Sequence, residues 1–351
     1  MGRREHHRRL RLVPEVPRPR NGRAEVWVES PLQLLSAVEA HGAGLLGSQT
    51  VIHPRGGTAG LDSTLQALVA QAPLGVSFAD AGLKVPPARR PGIDRWVTGD
   101  AYSGRIQRAL LGPVSAREVV IVDDGLATLK LLEMLTSDRP VPLIRPRGRA
   151  GLGRRALGLA TWHHLRLLAR HGRLMAFTAL PVPISVDEKF RALGGHLEHH
   201  RFEWLSTQPV PETFHEPTVV VGSALACDGL IDAGAYLGWV ISLTEDGPVA
   251  YFPHRREQPQ FLARLAENPL IRVQEHTVPV EMRLRGLRSG QTVRALPSTV
   301  LPSLRLLLAP NGVAIKGHRV PDPWWTPAAT PALRAHLTTS LGSLGSIGDN
   351  A

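Results

Sequence analysis

Four polar segments of the chain each follow an apolar run, and their side chains are of types used in catalysis and phosphate binding. They are Ser30-Pro31-Leu32-Gln33, Asp123-Asp124-Gly125, Pro253-His254 and Ser298-Thr299. Carboxylates and imidazoles act as general bases and acids, and groups at a helix N-terminus bind phosphate. The four segments are therefore candidates for a single site.

Each segment also has an interpretation without catalysis. Asp123-Asp124-Gly125 is typical of a turn, because Asp and Gly tolerate turn dihedral angles. Ser30 can cap a helix that begins at Pro31, and Ser298-Thr299 can cap another. His254 can be a solvated or packed side chain.

Taken together and in order, the segments form a more specific pattern. "VESPLQLLSAVEA", "VIVDDG", "YFPHRRE", "VPVE" and "LPST", between about residues 24 and 320, resemble the bacterial sialyltransferases. These include lipooligosaccharide sialyltransferases and α-2,8-polysialyltransferases, which share a D/E-D/E-G motif, a His-Pro motif and a Ser-Ser/Thr motif. The resemblance implies a GT-B fold, in which two Rossmann-like domains face a central cleft.

The resemblance also implies catalytic roles. Asp123 would be the general base that takes the proton from the acceptor hydroxyl, with Asp124 as the competing choice. His254 would be the general acid at the departing CMP, or a hydrogen-bond donor to its phosphate. One departure is plain, because the family's His-Pro is His254-Arg255 here and the proline, Pro253, comes before the histidine. Arg255 and Arg256 would surround the donor phosphate with positive charge.

Substrate-binding residues follow from the same resemblance. On the donor side, hydroxyls and helix amides would bind the CMP phosphate, and a carboxylate would accept from the ribose hydroxyls; these residues are Ser298, Thr299 and Glu281. Gly222, Ser223 and Pro253 would complete the donor side. On the acceptor side we expect Ser30, Gln33 and Gly125.

No metal or other cofactor is expected. CMP is a monophosphate ester, so no diphosphate has to be neutralised by a metal. The histidine-rich segment "GHLEHH" (195–200) does not match the H-E-x-x-H arrangement. It is interpreted as a solvated helical face.

The elements that must position these residues alternate along the chain. Strands are predicted at 24–30, 49–54, 75–80, 95–100 and 118–125, with helices at 31–43 and 60–72. After a proline-rich segment the alternation restarts, with strands at 218–231, 249–254, 271–276, 292–299 and 313–318 and helices at 232–239 and 258–267. Such alternation predicts an α/β fold with parallel strands and crossover helices. Ligands of such sheets lie beyond the carboxyl ends of the strands.

The predicted organisation has four parts. A disordered basic arm (1–24) precedes an N-terminal Rossmann-like acceptor-side domain (25–207). The proline-rich linker falls within 204–217, and a C-terminal Rossmann-like domain for the CMP-sugar occupies 217–325. A C-terminal helix and tail make up 326–351.

Composition limits the partners. The net charge of +11 favours anionic partners. The arginine-rich segment 144–173 suits either a helix on an anionic membrane surface or an ordinary surface helix with its apolar face on the core. No apolar run approaches membrane-spanning length, and the one cysteine, Cys227, suits a reducing cytoplasm. Only 5% of residues are aromatic and no zinc motif occurs, which argues against nucleic acid as the partner.

The expected function is thus an inverting, metal-independent transfer of sialic acid from CMP-sialic acid to a glycan hydroxyl, by a cytoplasmic enzyme. The acceptor would be a lipid-linked glycan, and the enzyme would contact the inner face of the membrane peripherally. Two alternatives remain open at this point. One is a glycosyltransferase of the same scaffold that uses CMP-Kdo or a UDP-sugar, and the other is a non-catalytic relative.

Overall fold

The structure, a computed structural model, describes residues 21–58, 60–80, 85–88, 91–112, 116–145, 151–210, 212–275, 278–331 and 333–335. Most of the predicted basic arm (1–20) and the end of the tail (336–351) lie outside these residues.

The first half forms a parallel sheet that, within the described residues, has seven strands in the order β3-β2-β1-β4-β5-β6-β7. The strands are β1 (Arg23–Val28), β2 (Gln49–Pro54), β3 (Val76–Phe78), β4 (Arg95–Thr98), β5 (Glu118–Val122), β6 (Leu174–Thr178) and β7 (His196–His199). The helices are α1 (Pro31–Gly42), α2 (Leu61–Val69), α3 (Gly104–Leu111), α4 (Leu126–Leu135), α5 (Leu152–Arg170), α6 (Ile184–Ala192) and α7 (Glu203–Thr207). Strand order reverses at β1 and β4, where doubly wound sheets bind ligands.

The second half forms a parallel sheet of five described strands in the order β10-β9-β8-β11-β12. Its strands are β8 (Thr218–Val221), β9 (Val249–Phe252), β10 (Ile271–Val273), β11 (Thr292–Ala295) and β12 (Ala314–Gly317). Its helices are α8 (Ala224–Cys227), α9 (Ala233–Ser242), α10 (Pro259–Ala266), α11 (Val280–Arg283) and α12 (Val300–Leu308). The predicted α/β fold, with two Rossmann-like halves that are each built on a parallel sheet, is confirmed.

Several predicted boundaries differ from the structure. Strand β1 begins at Arg23, inside the range predicted for the basic arm, because Arg23 already pairs with Gln49 of β2. The run predicted as a strand over 218–231 ends at Val221, since the next two residues turn the chain and Ser223 caps α8. The histidine-rich segment 195–200 contains strand β7 rather than a helical face.

The basic segment 144–173 contains α5, whose apolar side packs on the first sheet. Trp162, Leu165 and Leu168 are buried in the core of that half. Leu152, at the start of the helix, is exposed instead. The helix therefore has the core-packed face of an ordinary surface helix, and its outer side carries arginines. Among the described residues, no helix combines the length and the apolar character needed to cross a membrane.

The two halves share one continuous hydrophobic cluster. Residues such as Val28 and Val122 of the first half belong to the same cluster as Ala250, Met282 and Leu304 of the second. A buried arginine of the second half, Arg285, adds polar contacts to the connecting segment. Its guanidinium donates to the carbonyls of Leu205 at 2.8 Å, Gln208 at 2.7 Å and Pro209 at 2.9 Å.

Candidate functional site

A cavity of about 730 Å³ opens where the carboxyl ends of the first sheet meet the second half. Its charged lining consists of three acids and three arginines: Glu29, Asp100, Asp124, Arg55, Arg145 and Arg255. Glu29 follows β1, Asp100 lies beyond the end of β4, and Asp124 lies beyond β5. These are the positions at which a doubly wound sheet binds its ligand. Arg255 comes from the second half, so both domains contribute to the cavity.

Asp124 is the acid of the predicted pair that lines the cavity. Its side chain is 16% exposed, and Oδ1 accepts a hydrogen bond from Ser30 Oγ at 3.1 Å. Burial, helped by the negative charge of Asp100, raises the pKa of Asp124 to about 6, against the opposing effects of Gln33, Ser30 and Arg145. A carboxylate with such a pKa is suited to accept a proton near neutral pH.

Asp123 is buried and does not line the cavity. Oδ2 accepts from Thr178 Oγ1 at 2.8 Å and from the Ala179 amide at 3.1 Å, while Oδ1 accepts from the Gly125 amide at 2.9 Å. Burial raises the pKa of this carboxyl. Asp123 therefore organises the turn after β5, and of the two acids predicted as the base it is Asp124 that lines the cavity.

The Ser30 segment caps α1, as one interpretation predicts, and it also lines the cavity. Ser30 Oγ caps α1 by accepting from the Gln33 amide at 3.3 Å, and the same oxygen donates to Asp124. Gln33 lines the cavity, and its Oε1 accepts from the Glu29 amide at 2.8 Å. The start of α1 thus holds the carboxylate of Asp124 through the hydroxyl of Ser30.

The other charges of the cavity are paired within the first half. Arg145 lies 2.6 Å from Asp100 and 3.9 Å from Asp124, and Arg55 lies 3.4 Å from Glu29. Arg255 forms no such pair with a described residue, so its guanidinium is the uncommitted positive charge of the cavity.

His254 follows the buried Pro253 at the carboxyl end of β9 and directly precedes Arg255. Its Nδ1 accepts from the Arg256 amide at 3.2 Å. A ring nitrogen that accepts carries no proton, so the neutral ring has its proton on Nε2. The loop therefore favours the tautomer of His254 that carries its proton on Nε2.

Gly222 and Ser223, which were predicted for the donor side, lie against the half-buried carboxylate of Glu257. Gly222 and Ser223 follow β8, and Ser223 Oγ caps α8 by accepting from the Leu225 amide at 3.2 Å. Glu257 Oε2 accepts from the His254 amide at 2.8 Å, and the Ser223 amide also donates to this carboxylate. Glu257 thus joins two predicted donor-side segments.

Ser298 and Thr299 stand at the start of α12 and are half-buried. Ser298 Oγ accepts from the Val300 amide at 3.3 Å, and Thr299 faces the turn after β5. A Cβ added at Gly125 would lie 3.2 Å from Thr299 Oγ1. Gly125 has φ +69°, a conformation that favours glycine, so this residue serves the turn and the contact between domains.

Glu281 does not have the exposure expected of a ribose ligand. It is buried in α11, and Oε1 accepts from Ser303 Oγ of α12 at 2.7 Å. Burial is the main cause of its raised pKa, and the negative charge of Asp123 across the domain boundary adds to it. In the structure this contact holds α11 against α12.

Sequence reasoning missed several residues of this site. Glu29 and Asp100 could have been found, because they occupy the second-last and last positions of the strands predicted at 24–30 and 95–100. The sequence gives only a weak indication for Glu257, namely that it lies three residues after His254. It gives none for Arg145, since that residue comes from an irregular segment that only the tertiary structure brings to Asp100.

One group of side chains among the described residues could hold a metal ion, Glu39, His200 and Glu203. Glu39 lies nine residues after Ser30 on α1, about 13 Å from the end of that helix facing the cavity. Its carboxylate already accepts from the amides of Trp204 at 3.1 Å and Leu205 at 2.8 Å. These contacts make Glu39 the cap of α7, and the group has no connection to the cavity.

Comparisons with known proteins add little to this geometry. No protein-family model matches the sequence, and no curated protein matches it. The chain is similar to a solved structure, an O-GlcNAc transferase mutant of Thermobaculum terrenum, at 14% identity and a TM-score of 0.41. The match covers 96% of this chain and 66% of that one, so the chain spans just under two thirds of that structure's length. The resemblance to bacterial sialyltransferases stays a prediction.

Proposed function

We propose that this chain is a glycosyltransferase that moves sialic acid from CMP-sialic acid to a glycan hydroxyl, inverting the anomeric configuration without a metal. The observation that supports it best is the cavity shared by Asp124 of one domain and Arg255 of the other. A carboxylate of one domain and a positively charged loop of the other thereby line the same cavity of about 730 Å³.

In this mechanism Asp124 is the general base. It takes the proton of the acceptor hydroxyl as that oxygen forms its bond to the anomeric carbon of the donor. Ser30 and Arg145 hold the carboxylate in the cavity. General base catalysis of this kind contributes about 10²–10⁴ in rate.

His254 acts on the opposite side of the anomeric carbon. As the bond from that carbon to the CMP phosphate oxygen breaks, negative charge builds up on the phosphate. The Nε2 proton of His254 hydrogen-bonds or protonates that oxygen. The start of α12, with Ser298 and Thr299, supplies amides and hydroxyls to the same phosphate, and a helix N-terminus favours an anion there.

Arg255 favours an acidic donor sugar. Its uncommitted guanidinium can bind a carboxylate, and sialic acid carries one beside the anomeric carbon. Kdo also carries a carboxylate, so CMP-Kdo is the second candidate donor. Neutral sugars of UDP donors would leave this charge without a partner in the cavity.

Thermal unfolding with CMP, CDP, UDP and GDP tests the proposal, because a ligand stabilises the fold that binds it. CMP should raise the melting temperature, and CMP-sialic acid should be hydrolysed or its sugar transferred by the wild-type protein. Stabilisation by UDP alone, or none by any nucleotide, would contradict the proposal.

We further propose that the enzyme works in the cytoplasm, at the inner face of the membrane, on a lipid-linked acceptor. The net charge of +11 and the arginines on the outer side of α5 support attraction to anionic lipid. Co-sedimentation with vesicles of neutral lipid, with and without 30% anionic lipid, tests this point. Binding should require the anionic lipid and weaken with salt; binding that ignores both would contradict it.

A further inference from the structure

Glu257 lies beneath the two loops that follow β8 and β9. Oε2 accepts from the His254 amide at 2.8 Å, and the Ser223 amide donates to the same carboxylate. Oε1 accepts from Tyr251 Oη at 2.7 Å, and that hydroxyl lies 3.1 Å from Tyr236 Oη. Both tyrosines are fully buried, so the carboxylate is held by groups that cannot easily move.

Gly222 leaves the space that this arrangement needs. A Cβ added there would lie 2.6 Å from Glu257 Oε2 and 2.6 Å from the His254 amide nitrogen. Both distances are well inside van der Waals contact. The glycine after β8 therefore allows the carboxylate to reach His254, independently of any contact with a nucleotide.

The loop of His254 is closed on itself by the same carboxylate. The Glu257 amide donates to the His254 carbonyl at 2.9 Å, while the Glu257 side chain accepts from the His254 amide. Within this closed turn the Arg256 amide reaches His254 Nδ1. The position and the tautomer of the imidazole thus depend on the turn that Glu257 closes.

We propose that Glu257 is a positioning residue: by accepting from the His254 and Ser223 amides, it fixes the loop that brings Arg255 to the cavity and holds the His254 ring of that loop with its proton on Nε2. The proposal rests on the function proposed above for the importance of His254. The geometry of the turn does not depend on that function.

The protonation state of Glu257 should affect the turn near neutral pH. It faces Tyr251 of β9 and Tyr236 of α9, and Cys227 lies close to it at the end of α8. Arg256 in the same loop is paired with Asp228 at 2.5 Å. Burial raises the pKa of Glu257 to about 7. A protonated carboxyl is a weaker acceptor, so the turn loosens as the pH falls through 7.

Three variants separate this role from others. Glu257→Ala removes the hydrogen-bond acceptor. Glu257→Gln keeps an acceptor oxygen but has no group that titrates. Glu267→Ala is the control, because Glu267 is an exposed glutamate at the C-terminal end of α10. The first measurement is the ¹⁵N spectrum of the His254 ring, which reports the tautomer. The Nε2–H form should dominate in wild type, Glu257→Gln and Glu267→Ala, and should lose its dominance in Glu257→Ala.

The second measurement is the pH dependence of kcat with CMP-sialic acid. Glu257→Ala should lower kcat at least about tenfold with KM changed less than about threefold, the mark of a transition-state contact. In wild type kcat should fall below pH 7. In Glu257→Gln that fall should move to about 6, where Asp124 titrates.

The outcomes are distinct. An unchanged His254 ring spectrum in Glu257→Ala overturns the positioning role, as does a Glu257→Gln enzyme that keeps the wild-type pH profile. If Glu257→Ala fails to fold, the Glu257→Gln profile decides the question. If no variant and no wild-type protein turns over any donor, the proposed function fails, while the ring spectrum still tests the role of Glu257.

Discussion

Asp124 of the first domain and Arg255 of the second line the same cavity, although they are 131 positions apart in the chain. One is a carboxylate set beyond the end of β5, and the other is a guanidinium beyond the end of β9. The meeting of two sheets at their carboxyl ends creates this relationship. It gives each domain a separable part in the proposed reaction.

The two acids of the Asp-Asp-Gly segment should differ when substituted. Asp124→Asn should lower transfer about 10²–10⁴-fold with little loss of stability, because it removes the proposed base. Asp123→Asn should instead lower the free energy of unfolding by about 1–3 kcal/mol, since its new NH₂ group would face groups that donate. Kinetics and urea unfolding of both variants check this. Equal activity loss with wild-type stability in Asp123→Asn would return the base role to Asp123.

The raised pKa of Asp124 also predicts a stability difference that depends on pH. The unfolded carboxyl titrates near 3.8 and the folded one near 6, so the folded state holds more protons between these values. Wild type should therefore lose stability relative to Asp124→Asn as the pH rises from 4 to 6, by on the order of 2–3 kcal/mol, and the difference should be constant above that. Urea unfolding of both proteins at each pH measures it, and a difference that does not vary with pH would contradict the assignment.

Arg255 should distinguish the donor sugar from the nucleotide. In Arg255→Gln we expect CMP to raise the melting temperature as in wild type, and the extra stabilisation by CMP-sialic acid to disappear. Arg139→Gln, at an exposed arginine outside the cavity, is the matched control. The melting temperature is also measured with free sialic acid. A rise in that melting temperature would show that the sugar carboxylate binds without the nucleotide. Loss of the CMP effect itself would show that Arg255 binds the phosphate instead.

Arg285 should contribute to stability and not to chemistry. Arg285→Ala leaves the carbonyls of Leu205, Gln208 and Pro209 without their donor, and we expect a loss of about 3 kcal/mol or more in the free energy of unfolding. Arg264→Ala, at an exposed site on α10, is the control and should change little. If Arg285→Ala unfolds like the control, the connecting segment is held by its apolar contacts alone.

Much of the fold follows from local pattern. Alternating apolar runs and helical stretches predict parallel strands, and the carboxyl ends of such strands predict where polar side chains meet. For this reason Ser30, Gln33 and Asp124 could be proposed for one site before any coordinates. The sequence could not show which of Asp123 and Asp124 lines the cavity. Both lie in one turn, and the directions of their side chains depend on the neighbouring strand β6.

The remainder depends on contacts between distant segments. Glu281 was expected at a ribose, yet the packing of α11 on α12 turns it toward Ser303. Arg145 reaches the cavity from an irregular segment, which has no periodicity to interpret. Glu257 lies three residues after the predicted catalytic residue His254, but only the tertiary structure shows that its carboxylate accepts from the amides of two separate loops.

The apolar cluster that runs without interruption from one domain into the other limits how this molecule can move. A wide hinge opening would bring buried side chains of both domains into water, at about 25 cal/mol for each Å² of apolar surface. Exchange of substrate and product by small shifts of the loops around the cavity mouth avoids that cost. The shared interior thus favours small movements of the loops at the cavity mouth, while the two sheets keep their mutual orientation.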